Sequence, residues 1–158
     1  MPDEKKPAES LTNANDSSLG ALVDTSAEYV IVVEDSAPNR QILCLLLRKL
    51  GFVTLEFDDG KLAWHAIQKA KGRGIIAVVS DMMMPNMDGL ELLRHVRNDE
   101  TTAKLPFVLV TAVSDKDYIF EAKKLKVDGY ILKPVSFKRV ADKMQALFPN
   151  RKFPPLAS

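Results

Sequence analysis

Four short stretches carry the side chains able to do chemistry. Glu34-Asp35 follows the run Tyr29-Val30-Ile31-Val32-Val33, and Asp81 follows the apolar stretch Ile75 to Ser80. Thr111 ends the stretch that begins at Phe107, and Lys133 follows Gly129-Tyr130-Ile131-Leu132. Three carboxylates drawn into one crevice repel one another, and a divalent cation is the natural remedy. The donors on offer are hard oxygens with no His or Cys cluster beside them, which favours Mg²⁺ over zinc. Lys133 can neutralise further negative charge, and Thr111 offers a hydroxyl. A carboxylate nucleophile, a hard metal, a lysine and a hydroxyl suit phosphoryl transfer, where positioning and charge stabilisation supply most of the catalysis.

Such a set works only if the chain brings its members together. Short β-branched or apolar runs at Tyr29 to Val33, Val53 to Phe57, Ile75 to Ser80, Phe107 to Val110 and Gly129 to Leu132 read as strands, the first of them suited to burial on both faces. Helical stretches alternate with them: Pro38 to Leu50, Leu62 to Lys71, Leu90 to Arg97, Ile119 to Leu125 and Ser136 to Phe148. Five such alternations call for right-handed βαβ crossovers and a parallel sheet covered on both sides. Ligands bind such sheets outside the carboxyl ends of the strands. The candidate residues stand at those ends. With the first and third strands adjacent, Glu34, Asp35 and Asp81 converge.

The 158-residue chain has room for one ordinary domain with a tail. Its 46% hydrophobic and 27% charged content is that of a globular protein. No apolar run is long enough to span a membrane, and no apolar signal core opens the sequence. One cysteine, Cys44, excludes an internal disulfide framework and a Cys-based zinc site. These features predict a soluble, cytoplasmic protein. Met1 to Glu28 carries two lysines against six acidic residues, a net −4, leaving +5 on the remainder. Poor in large apolar side chains, residues 1–28 cannot offset an ordering cost of roughly 1–2 kcal/mol per residue and are expected to be a disordered acidic tail. Its apolar patch, Leu19, Leu22 and Val23, could still dock.

The sequence resembles the receiver domain of two-component response regulators, chemotaxis receivers in particular and apparently stand-alone, from Tyr29 to Phe148. The resemblance rests on Glu34-Asp35, on Asp81-Met82-Met83-Met84-Pro85-Asn86-Met87-Asp88-Gly89, on Thr111-Ala112 and on Gly129-Tyr130-Ile131-Leu132-Lys133-Pro134. It implies a doubly wound, flavodoxin-like (βα)5 fold with strand order 2-1-3-4-5, a receiver over 29–148 and a short C-terminal tail over 149–158. It also implies that Asp81 accepts a phosphoryl group from a histidine kinase or histidine phosphotransfer protein. Asp35, Asp81 and the backbone carbonyl of Met83 would bind Mg²⁺, with Glu34 acting through water. Thr111, the amide of Ala112 and Lys133 would hold phosphoryl oxygens. Thr111 and Tyr130 would act as the switch, and Pro134 marks a candidate cis peptide bond. Catalysis would be confined to Mg²⁺-dependent self-phosphorylation and autodephosphorylation. The face of the fourth helix, fifth strand and last helix would bind a downstream protein.

Other positions carry further expectations. Apolar Met83 and Val113 over the site should hinder an attacking water and slow phosphoryl hydrolysis. Met84 is expected to pack inward while Met82 and Met83 flank the pocket. Leu43, Leu46, Leu47 and Leu50 form a core stripe, which puts Cys44 and Leu45 on the open side of the first helix. That open side would dock the phosphodonor or seat the tail. His65, His95 and Trp64 read as surface or packing residues. Lys123, Lys124, Lys126, Lys138, Arg139 and Lys143 read as a solvated face, and no helix-turn-helix is left over to read DNA. Two alternatives stand beside this reading. A phosphorylation-independent scaffold would typically lose the acceptor, the acidic pair or the lysine. A haloacid dehalogenase-like phosphatase needs an aspartate where Met83 stands.

Overall fold

The computed structural model describes residues 28–112 and 116–155. The strands are β1 (Tyr29–Val33), β2 (Val53–Phe57), β3 (Ile75–Asp81), β4 (Phe107–Thr111) and β5 (Gly129–Leu132). Between and after them run α1 (Ala37–Lys49), α2 (Gly60–Ala70), α3 (Gly89–Asn98), α4 (Lys116–Lys124) and α5 (Phe137–Leu147). Every strand pair is parallel, in the order β2-β1-β3-β4-β5. This is the doubly wound, flavodoxin-like arrangement that the alternation and the resemblance call for. Of the expected tail over 1–28, residues 1–27, with Leu19, Leu22 and Val23, lie outside the described residues, as does Val113.

Strand periodicity divides the core between the two faces. Tyr29, Ile31 and Val33 point to one layer, with Ile67 of α2 and Leu92, Leu93 and Val96 of α3. Val30 and Val32 point to the other, with Leu43 and Leu47 of α1 and Val140 and Met144 of α5. A continuous β-branched run suits β1 because both faces are covered, so no position needs a polar side chain.

Helix starts are set by side chains that satisfy free backbone N–H groups. Ser36 caps α1 through the amide of Asn39, and Ser136 caps α5 through that of Arg139. Asp88 and Glu91 form a reciprocal capping box at α3. Asp59 caps α2 through the amide of Lys61 at 2.7 Å, and its other oxygen accepts from Asn86 Nδ2 at 2.7 Å. That second bond ties the α2 start to the loop leaving β3.

Several local expectations need correction. Cys44 is fully buried. Helix α1 lies over the edge strand as well as over β1, so its covered arc extends from Leu43 and Leu47 round to Cys44, against Thr54 of β2. Leu46, expected in the stripe, is only half-buried. Met82 is the core methionine, while Met84 packs part-way against the same layer. The fourth helix begins at Lys116 rather than at Ile119. In line with their reading as packing and surface residues, Trp64 and His95 stack with ring centroids 5.4 Å apart, joining α2 to α3, while His65 is exposed.

Candidate functional site

Parallel pairing carries β1, β3, β4 and β5 to a common carboxyl edge. Glu34 is held at the end of β1 by its amide on the carbonyl of Phe57 at 3.0 Å and its Oε2 on the amide of Ser36 at 3.1 Å. Asp81 is the last residue of β3, opposite Val110 of β4. Thr111 ends β4 opposite Leu132, and its carbonyl accepts from the amide of Lys133 at 2.9 Å. Strand register alone therefore brings the acidic residues, the hydroxyl and the lysine to one crevice.

Carboxylate oxygens of Glu34, Asp35 and Asp81 lie within 4.8 Å of one another. Glu34 and Asp81 are buried, and Asp35 faces solvent. Asp81 Oδ1 is 2.6 Å from Lys133 Nζ. That approach lacks the angles of a hydrogen bond, so the buried oxygen has charge compensation and no aligned donor. Three oxygen donors in close array, one of them without a donor, fit a small hard cation.

Burial is the first cause that raises the carboxyl of Asp81, with Asp35 adding to it and Lys133 opposing it. Burial likewise pushes Glu34 up to about 7, against the pull of the Ser36 amide and with the help of Asp81. For Lys133 burial works downward, but the carboxylates of Asp81, Glu34 and Asp35 outweigh it and raise the ammonium above its ordinary value. Burial and crowding thus hold protons on carboxyls that one lysine cannot fully compensate, and a divalent ion would supply the missing positive charge.

The remaining candidates surround this centre. The Thr111 hydroxyl is buried and donates to the carbonyl of Ala112 at 3.0 Å. Met83, two residues after Asp81, is 58% exposed, so its side chain lies outside the core. The Lys133–Pro134 peptide bond is cis. Tyr130 is half-buried and its hydroxyl donates to the carbonyl of Ile119 at 3.2 Å. On α1, Ile42 and Leu45 are exposed, 47% and 54% respectively. A recess of about 180 Å³ opens beside Ile42, reaching Asn39, Lys133 and Val135.

A profile of the response regulator receiver domain matches residues 30–145. The chain belongs to that family. This receiver is 38% identical over 120 residues to the chemotaxis protein CheY of Pseudomonas aeruginosa, covering 75% of this chain and 94% of the relative. It is 37% identical to CheY-3 of Vibrio cholerae, over 75% and 90% of the two chains. Among solved structures it superposes on CheY4 of Vibrio cholerae with a TM-score of 0.68 and 26% identity, over 76% of this chain and 98% of that one. It shares the fold, at a TM-score of 0.67 and 22% identity, with the receiver domain of a sensor histidine kinase from Pseudomonas aeruginosa PAO1. That match covers 78% of the receiver and 99% of the other chain, which is described with a magnesium ion in its active-site cleft.

Sequence reasoning passed over Arg40 and Glu56. Arg40 Nη1 donates to the carbonyl of Glu34 at 2.8 Å, and its Nε to Glu56 Oε1 at 3.3 Å. A basic residue at that place in a helix reads as ordinary surface, and nothing local announces that it returns to the strand end.

Proposed function

We propose that this receiver takes a phosphoryl group onto Asp81 from a phosphohistidine of a sensor kinase or phosphotransfer protein, and then switches partner binding or passes the group on. The observation that carries this is a buried carboxylate at a strand end, 2.6 Å from Lys133 Nζ and ringed by two further carboxylates. In the transfer an oxygen of Asp81 attacks phosphorus; the O–P bond forms, the N–P bond breaks, and its electron pair leaves with the imidazole. Mg²⁺ held by Asp35, Asp81, the carbonyl of Met83 and, through water, Glu34 would supply positive charge against the phosphoryl oxygens. Lys133 exchanges Asp81 for a phosphoryl oxygen, and Thr111 with the amide of Ala112 takes others.

The same residues set the switch. Once Asp81 is phosphorylated, the Thr111 hydroxyl leaves the Ala112 carbonyl for a phosphoryl oxygen. Tyr130 then leaves Ile119 and turns inward, reshaping the face of α4, β5 and α5 for its target. Taking such an equilibrium from 1:99 to 99:1 needs about 5.5 kcal/mol of differential interaction. Exposed Leu45, with Ile42 at the recess, forms the docking face for the phosphodonor. Met83, with Val113, slows attack by water on the acyl phosphate. Residues 29–148 act as the cytoplasmic receiver unit, with no catalysis beyond its own phosphorylation and dephosphorylation. Among the described residues no helix is long and apolar enough to cross a membrane.

Incubation with Mg²⁺ and a small acyl phosphate, followed by intact-mass measurement, tests this. The wild type should gain one phosphoryl group, and Asp81→Asn or added EDTA should abolish the gain. A wild type that binds Mg²⁺ and gains nothing would favour a phosphorylation-independent scaffold.

A further inference from the structure

We infer that Arg40 is a positioning residue that aims the acidic pair at the cation, an inference that rests on Asp35 being a ligand. Arg40 stands in the first turn of α1, and its side chain returns to the end of β1. There Nη1 donates to the carbonyl of Glu34 at 2.8 Å. That carbonyl belongs to the peptide unit joining Glu34 to Asp35, and a planar peptide transmits the direction of its C=O to the next Cα. Holding the carbonyl therefore sets the direction in which Asp35 leaves the strand.

Asp35 needs this. Glu34 is buried and already held by the carbonyl of Phe57 and the amide of Ser36. Asp35 is exposed, so the aim of its carboxylate depends on its backbone. The guanidinium is itself fixed from behind. Nε donates to Glu56 Oε1 at 3.3 Å, and the other oxygen of Glu56 takes Arg48 Nη2 at 3.1 Å. The side chains of Arg40 and Glu56 are 18% and 19% exposed, so water does little to screen the bridge. A planar fork can span a carbonyl and a carboxylate together, and an ammonium of similar charge cannot.

Titration calorimetry of Mg²⁺ into the full chain tests the role. Loss of a group that orients a metal ligand costs on the order of 10-fold or more in affinity. Arg40→Gln should therefore bind Mg²⁺ about 10-fold more weakly, yet reach the wild-type extent of phosphorylation at saturating Mg²⁺. Arg48→Gln, which removes the other arginine from Glu56 and leaves the Glu34 carbonyl held, should bind as the wild type does. Arg40→Lys, which keeps the charge, covers the case in which the glutamine variant does not fold, and should also bind more weakly. Unchanged affinity in either Arg40 variant, or equal losses at Arg40 and Arg48, would overturn the role. Asp35→Asn separates the premise: if it binds Mg²⁺ as the wild type does, the assignment of Asp35 fails and the inference falls with it.

Discussion

Cys44 carries a measurable consequence of where α1 rests. Burial first, and then the carboxylate of Glu56, push its thiol up to about 11. The folded state therefore favours the neutral thiol. The stability this confers is complete below about 9, the thiol's ordinary value, and is lost as pH rises through about 11. The folded protein should react with iodoacetamide at pH 8 at least about 100-fold more slowly than the urea-unfolded chain, because the thiolate forms only on opening. Equal rates would place Cys44 on the surface. The sequence pattern misjudged this residue because a helix over an edge strand is covered through a wider arc than a single stripe. The pair Glu34-Asp35, Asp81 and Lys133 were legible because each stands at the end of a largely apolar run. Arg40 was not, since its partners Glu34 and Glu56 lie 6 and 16 positions away.

Among the elements, the junction of β3 with α3 is closely packed next to the site. A Cβ on Gly89 would collide with the carbonyl oxygen of Asp81 and come within 2.8 Å of Leu109 Cδ2. The Gly89 amide also donates to the Met82 carbonyl at 2.8 Å, so the helix start and the strand end cannot simply part. Gly89→Ala should destabilise the fold by about 1–3 kcal/mol in urea denaturation. It should also slow phosphorylation by an acyl phosphate, because the backbone that yields is that of Asp81. A variant with the wild-type midpoint and rate would mean that α3 moves instead. Strands such as β1 and β4 were readable because burial of every position selects an unbroken apolar run. The start of α4 was not: Ala122 is the residue of that helix buried in the core, too little to mark a face.

At the scale of the molecule, residues beyond α5 complete the second core layer. Phe153 and Phe148 each lie 5.9 Å from the ring of Phe52. Arg151 sits 4.5 Å over the same ring and pairs with Glu28 at 3.1 Å, while Pro154 rests on Gly51. Three prolines after Leu147 signalled the end of a helix but not this return, which depends on a ring 101 positions earlier in the chain. Phe153→Ala should lower stability by about 1–2 kcal/mol, read as a shifted denaturation midpoint, with phosphorylation unchanged. An unshifted midpoint would make the segment a passive tail.

The pairing of Glu28 with Arg151 has one more effect. Both ends of the folded body meet beside the amino edge of the sheet, roughly 16 Å of strand away from the carboxylates. A tether or fused body on either end is hung from the same pole, so the opposite pole faces outward and stays open to a visiting protein.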